Sequence, residues 1–219
     1  MPYTYPYPRP ALTADAVVFT IQDQKPQVLL IRRRGAPFAG LWALPGGFVE
    51  EGECASVAVR RELEEEAGVR DVWFEQLKTF DTPGRDPRGW TVSVAHVALI
   101  DAERVHPVAA DDAADARWWP TAGLPALAFD HEVIIKYALE RLRDTLRWSA
   151  IWSQLLPPLF TMDALRRVHE AVLDDSLDSR NFHKRMLESG ALRDSGARLA
   201  TGKRGRKPRL YAFVTRTAV

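Results

Sequence analysis

Two stretches near the N-terminus, Leu12 to Gln22 (LTADAVVFTIQ) and Gln27 to Arg33 (QVLLIRR), are rich in Val, Ile and Leu. They predict a pair of strands turned at Asp23-Gln24-Lys25-Pro26. Further along, Asp71 to Phe80 and Trp90 to Ile100 carry the alternation and β-branched content of strands. Between the pairs, Val59, Leu63 and Ala67 recur every fourth residue, the stripe that docks one face of a helix, and Gly68 suits its C-cap. Asp130 to Arg147 predicts a longer helix, with Asp130 as N-cap and Val133, Ile134, Tyr137, Leu139, Leu142 and Leu146 as its apolar side. A short helix over Trp148 to Leu156 is stopped by Pro157-Pro158, and Thr161 caps another over Met162 to Leu173. A third starts near Asp178 or Ser179 and ends near Glu188, with Gly190 as C-cap and Phe182, Met186 and Leu187 facing inward. Short strands follow at Ala191–Ser195 and Arg209–Val214.

With 219 residues, 46% of them hydrophobic, the chain has room for more than one average domain and its core. No apolar run is long enough to span a bilayer, and the start, Met1-Pro-Tyr-Thr-Tyr-Pro, has no secretory pattern. Cys54 is the single cysteine, which excludes an internal disulfide and fits a reducing cytoplasm. Net charge is +1, but it is unevenly spread: residues 151–219 carry 13 Lys and Arg against 7 Asp and Glu. That excess points to an anionic partner for the last third.

One stretch breaks the rules of helix stability. Glu62, Glu65 and Glu66 are spaced i, i+3, i+4 near a helix C-terminus, where like charges repel and anions oppose the macrodipole. A divalent cation with hard oxygen ligands, Mg²⁺ or Mn²⁺, turns that repulsion into coordination. Arg61, four residues before Glu65, can hold its carboxylate in one rotamer. Glu53 lies at the helix entrance, where a carboxylate is favoured, and Pro45-Gly46-Gly47 lets the backbone turn sharply beside a ligand.

The run from Gly47 to Val69 resembles the Nudix box at every position: Gly47, Glu53, Arg61-Glu62, Leu63, Glu65-Glu66, Gly68 and Val69. The resemblance implies a loop-helix-loop that binds Mg²⁺ and cleaves nucleoside diphosphates linked to another group. By position it makes Glu62, Glu65 and Glu66 metal ligands, with the Gly47 carbonyl as a further one. It casts Glu53, Arg61 and Glu65 in the catalytic machinery. An acidic residue outside the box often serves such enzymes as base or extra ligand, and Asp112, in the loop ahead of Arg117-Trp118-Trp119, is the candidate. Other candidate ligand contacts are Arg32 among three successive arginines, Phe38 beside Gly40, and Arg85 and Arg88 in the stiff loop Asp81 to Gly89. For each there is a bland alternative, a solvated charge or ordinary loop packing. Pro83 is placed as a proline often is in ADP-ribose-handling members. His96, inside a strand, reads as a structural histidine.

In the C-terminal third, Arg180, Asn181, Lys184 and Arg185 are left on the outer side of the last helix, the residue types that meet phosphates and base edges in a major groove. The turn that follows holds Lys203, Arg204, Arg206 and Lys207 and resembles the wing of a winged helix. A dimerising helical appendix with a solvated basic loop is the alternative. Taken with YPYPRPALTADAVVF, FDHEVI, FTMDAL and LDSRNFHKRML, the chain resembles the Nudix-related transcriptional regulators of NAD metabolism over nearly its whole length. That resemblance implies an α+β fold: a Nudix α/β/α sandwich with a mixed sheet over 1–147, including an arm at 1–10 and a linking helix at 130–147. A winged helix-turn-helix domain follows over 148–219. It also implies a homodimer that senses ADP-ribose or a related NAD metabolite and binds a double-stranded DNA operator. Many members have a degenerate box and do not hydrolyse their ligand; the box here is intact, so an ADP-ribose pyrophosphatase with a dimerising appendix stands as the alternative.

Overall fold

The computed structural model describes residues 4–101, 107–108, 113–145, 154–200 and 207–214. Nine strands and four helices follow one another among them: β1 Ala11–Gln22, β2 Lys25–Arg33, β3 Trp42–Ala43, β4 Gly46–Phe48, α1 Ala55–Ala67, β5 Glu75–Phe80, β6 Thr91–Leu99, β7 Ala113–Pro120, α2 His131–Thr145, α3 Met162–Leu173, α4 Ser179–Glu188, β8 Leu192–Arg198 and β9 Arg209–Phe213. Asp23 and Gln24, both at positive φ, make the tight turn between β1 and β2.

Seven strands form one mixed sheet in the order β3-β2-β1-β6-β5, with β4 paired to β1 and β7 to β2. The β1–β6 pairing is parallel and the others are antiparallel. Both faces of β1 and β2 are buried, and the parity of the strand sorts their side chains. Ala14, Ala16, Val18, Leu29 and Ile31 pack with Ala58, Val59, Leu63 and Ala67 of α1. On the other face, Val17, Phe19, Val28 and Leu30 pack with Ile134, Ile135, Ala138 and Leu142 of α2. Helix–sheet–helix layering is therefore direct: the expected sandwich.

The second core cluster runs on without a break into the C-terminal elements, through Leu155, Leu156, Phe160, Leu165, Val172, Phe182, Leu192 and Tyr211. Thr161 caps α3 by accepting from Ala164 N–H, and Asp178 caps α4 by accepting from Asn181 N–H. Phe160 bridges to Tyr211, adding a third edge to the β8–β9 hairpin. Two helices, a hairpin and this bridge make the winged helix. Arg143 near the end of α2 donates from Nε to the carbonyl of Val172 on α3, 3.1 Å.

Several expectations are corrected. The strand expected from Asp71 begins only at Glu75, because Asp71 sits in the left-handed region (φ 54°), which breaks a strand. The loop expected ahead of Arg117-Trp118-Trp119 gives way at Ala113 to a strand, Ala113–Pro120, held by β2. On α2, Val133 faces solvent and Ile135 takes its place in the core. Leu187 of α4 is exposed too, leaving Phe182 and half-buried Met186 to dock that helix. The C-cap of α4 is Ser189, not Gly190, which follows at φ 70°. Residues 146–153, where the domain boundary and most of the Trp148–Leu156 helix were expected, lie outside the described residues.

Candidate functional site

The site grows from where α1 meets β4. Gly46 and Gly47 lie on β4, opposite Asp15 and Ala14 of β1, and α1 brings its acidic face against them. The contact is too close for any side chain: a Cβ on Gly47 would stand 2.1 Å from Glu62 Oε1, and one on Gly46 would stand 2.4 Å from the Ala14 carbonyl. Glu66 Oε2 accepts from the Gly46 N–H at 2.9 Å. Its environment nevertheless disfavours the charge. Burial, with Glu62 and Asp15 nearby, pushes the Glu66 carboxyl up to about 8. Glu62 is shifted up as well, chiefly by burial.

Arg61 ties the acidic residues together. Its guanidinium reaches Glu53 at 3.0 Å, Glu62 at 2.8 Å and Glu65 at 3.1 Å, and donates to the Phe48 carbonyl. Those hydrogen bonds, Glu53's first, raise the Arg61 pKa, and the same contact lowers that of Glu53. Glu53 Oε2 also accepts from Glu50 N–H, closing the loop before α1.

Do these residues fit a divalent cation? Among the described residues no three acidic, imidazole or thiol groups already converge as a ready-made shell. The Arg61 guanidinium bonds to two of the candidate ligands, Glu62 and Glu65, which draws them toward itself. The donor set itself fits: hard carboxylates on one helix face, a glycine at closest approach, and a Glu66 whose charge burial disfavours despite the Gly46 N–H and Arg33. As a family, Nudix hydrolases use divalent cations.

A cleft of about 550 Å³ opens beside this face, lined by Arg33, Arg34, Gly47, Phe48, Glu62, Glu66 and Arg88 among others. It adjoins a deeper recess floored by Asp15, Arg85 and His131, and the two share Arg33, Gly46, Gly47, Phe48 and Arg88. Arg85 is held by a bidentate pair with Asp130, 2.6 and 3.0 Å, so the carboxylate expected to cap α2 grips this loop instead. Arg88 pairs with buried Asp86 and lies over the rings of Phe48 and Phe129, 4.7 and 5.3 Å from their centroids.

Of the expected ligand contacts, then, Arg85 and Arg88 line the recess. Arg32 does not: its Nε donates to the Gly40 carbonyl, and Arg33 lines the cleft in its stead. Phe38 packs edge-on against Phe129, 5.0 Å between centroids, behind the recess wall. Asp112 lies outside the described residues. His96 is buried against the Val94 carbonyl inside β6, as a structural histidine should be. Sequence reasoning missed Asp15 and His131. A lone Asp in the apolar run of β1 was the available signal for the first.

At the other end of the chain, Arg180, Asn181, Lys184 and Arg185 are all exposed on α4, a face presented to solvent. Lys184 has only a loose 3.9 Å pairing with Glu188. Lys207 is described and exposed, while Lys203, Arg204 and Arg206 lie outside the described residues.

The NUDIX domain family matches residues 11–141, and the NrtR DNA-binding winged helix domain matches residues 153–213. The chain belongs to the NrtR family of Nudix proteins. Over 94% of its length it is 34% identical to the ADPR responsive transcriptional repressor NtrR of Acinetobacter baylyi, of which it covers 83%. The structure of Shewanella oneidensis NrtR complexed with a 27mer DNA matches at a TM-score of 0.79 and 38% identity, over 92% of this chain and 93% of that one. The Nudix domain of the same Shewanella protein, complexed with ADP-ribose, is 42% identical at a TM-score of 0.57, covering 62% of this chain and 90% of that domain. An ADP-ribose pyrophosphatase of Methanocaldococcus jannaschii is 40% identical over 65% of this chain and 76% of its own length. Among the described residues no helix is long and apolar enough to cross a membrane.

Proposed function

We propose that the protein is an ADP-ribose-responsive, DNA-binding transcriptional regulator of NAD metabolism, acting as a homodimer. The observation that carries this reading is the pairing, in one chain, of a Nudix cleft with a winged helix whose α4 presents Arg180, Asn181, Lys184 and Arg185 to solvent. The A. baylyi and S. oneidensis relatives, matched along nearly the whole chain, support it. We assign residues 1–147 to the sensing domain and 148–219 to DNA binding, with Lys203, Arg204, Arg206 and Lys207 in the wing.

Glu62, Glu65, Glu66 and the Gly47 carbonyl would hold Mg²⁺ or Mn²⁺. When bound, such a cation supplies neutralisation of pyrophosphate charge. Arg61 keeps Glu53, Glu62 and Glu65 in place, while Arg33 and Arg88 offer further cationic partners to an anionic ligand. The intact box favours a second reading, Mg²⁺-dependent hydrolysis of ADP-ribose to AMP and ribose 5-phosphate, with Glu53, Glu65 or Asp112 as base.

The deciding experiment is fluorescence anisotropy of labelled DNA from upstream of the protein's own gene cluster. ADP-ribose is titrated in twice, once with EDTA and once with Mg²⁺. Tight binding that falls steeply with salt and changes with ADP-ribose in EDTA is the expected result. Lys184→Ala should weaken DNA binding and leave ADP-ribose binding unchanged. Binding no tighter than to random DNA would overturn the regulator, and turnover in the Mg²⁺ sample would then establish the hydrolase.

A further inference from the structure

One helix begins at the recess and ends against the winged helix. With its 15 residues, α2 is about 22 Å long. Its first turn is anchored twice. Arg85 closes the bidentate pair on Asp130, and His131 Nδ1 accepts from the Leu44 backbone N–H at 2.8 Å. Leu44, Arg85 and His131 all line the recess, so a ligand seated there meets both anchors. Further along, Ile134, Ile135, Ala138 and Leu142 are buried in the core that joins the sheet to the C-terminal elements.

The far end of α2 makes a contact of another kind. Arg143 Nε donates to the Val172 carbonyl at 3.1 Å, across 29 residues of sequence. Val172 belongs to the last turn of α3, where carbonyls lack intrahelical partners and the helix dipole presents its negative end. That turn has no basic residue of its own, so the cation that suits it comes from α2. Arg143 is exposed while Leu142 beside it is buried, so the contact is added to the core packing and is not part of it.

From α3 the connection runs to α4. Glu170 accepts from the Leu177 N–H at 2.8 Å, closing the turn between the two helices. The ring of His169 meets Phe182 edge-on, 5.0 Å between centroids, and Phe182 is the buried residue that docks α4. Apolar packing is non-directional and lets α2 slide a little on α3 without loss. A hydrogen bond to a fixed carbonyl does not, because it weakens steeply with distance and angle. The Arg143 contact therefore makes the position of α3 depend on that of α2.

We propose that Arg143 is the residue that couples the two halves of the chain: α2 carries the state of the recess to α4 through the Arg143–Val172 contact. The inference rests on reading the cleft as an ADP-ribose site and α4 as the DNA-binding helix. Coupling requires the two ligands to favour different positions of one element, and α2 is anchored at one site and tied to the other. A ligand that engages Arg85 alters its grip on Asp130 and with it the seat of α2. Arg143 touches neither ligand, so it positions and does not bind.

The test measures the affinity of the full chain for the same labelled DNA in EDTA, with and without saturating ADP-ribose. Wild-type protein is compared with Arg143→Ala and with Lys136→Ala, which removes a positive charge from the exposed side of the same helix. In wild type, ADP-ribose should shift the DNA Kd by about fivefold or more. Arg143→Ala should bind DNA alone and ADP-ribose alone within about twofold of wild type, while the shift falls below about twofold. Lys136→Ala should keep the wild-type shift. A full shift in Arg143→Ala would overturn the coupling and leave the regulator intact. So would equal loss of the shift in both variants, which is an effect of charge alone, or weakened DNA binding by Arg143→Ala without ligand, which is a merely structural role. Hydrogen exchange on wild-type protein needs no variant: ADP-ribose without DNA should change amide protection in the last turns of α2 and α3, and unchanged protection there would overturn the proposal. A wild-type DNA affinity indifferent to ADP-ribose would overturn the regulator itself, and the coupling with it.

Discussion

Glu66→Gln should make the metal-free protein more stable, and increasingly so as pH rises. The carboxyl of Glu66 is buried, near Glu62 and Asp15, and titrates at about 8 in the folded chain instead of the ordinary 4.5. Between those two values the folded state holds a proton that the unfolded state has lost. Unfolding therefore gains on folding as pH rises through that window, at about 1.4 kcal/mol per pH unit. The sign is opposite to that of a salt-bridged carboxylate, whose contribution appears as pH rises. Glutamine has the same shape, keeps an oxygen for the Gly46 N–H, and has no charge to desolvate.

Urea unfolding followed by tryptophan fluorescence at pH 5.5, 6.5, 7.5 and 8.5, in EDTA, measures the gap between variant and wild type. Other titrating groups are common to both proteins and cancel in the difference. From pH 5.5 to 7.5 the gap should widen by about 3 kcal/mol, an upper figure because local relaxation softens buried charges. Above pH 8 it should level off. Mg²⁺ should then raise the stability of wild type more than that of the variant, whose amide replaces a carboxylate ligand. A gap that stays flat across the series would refute the argument, and so would a variant less stable than wild type at pH 8.5.

Gly47→Ala places a Cβ 2.1 Å from Glu62 Oε1, so the Glu62 carboxylate must swing away, and Mg²⁺ affinity measured by calorimetry should fall roughly tenfold or more; unchanged affinity would remove Glu62 from the ligand set. Leu165→Ala empties a fully buried position in the core joining α3 to the sheet, and should cost about 2–5 kcal/mol in urea unfolding. A loss under about 1 kcal/mol would mean the winged helix packs more loosely than its burial indicates.

The box was legible because it is contiguous. Gly47, the α1 carboxylates, Arg61 and Gly68 sit within one loop and one helix, where spacing along the sequence translates directly into spacing on a face. Two N-caps were legible for the same reason, as Thr161 and Asp178 each accept from an amide three residues on, whereas Asp130 is taken by Arg85 from across the fold. The recess was not. Asp15 meets Ser93 across 78 residues, His131 meets Leu44 across 87, and Arg85 meets Asp130 across 45. Only the parallel pairing of β1 with β6, and the docking of α2 under them, brings those five segments to one point. Strand β7 escaped for another reason. Asp115, Arg117 and the two tryptophans lack a β-branched run, and pairing with β2 makes the strand where local propensity does not.

The exchange of Arg32 for Arg33 shows where sequence reasoning stops. In β2, Leu29 and Ile31 turn toward α1, while Val28 and Leu30 turn toward α2. Strand parity then sends Arg33 to the α1 side, into the cleft, and Arg32 to the other, where it meets the Gly40 carbonyl. Parity alone could have separated the two arginines, since adjacent residues of a strand never share a face. It could not say which of them faces the box. Both faces of β2 are apolar, as expected for a strand covered on two sides, so hydrophobicity carries no label for the side that α1 takes. That label comes from the crossover: β4 pairs antiparallel with β1 and delivers α1 to one face, leaving the other to α2. The cationic side of the site is therefore fixed by topology, and its acidic side by the local sequence of a single helix.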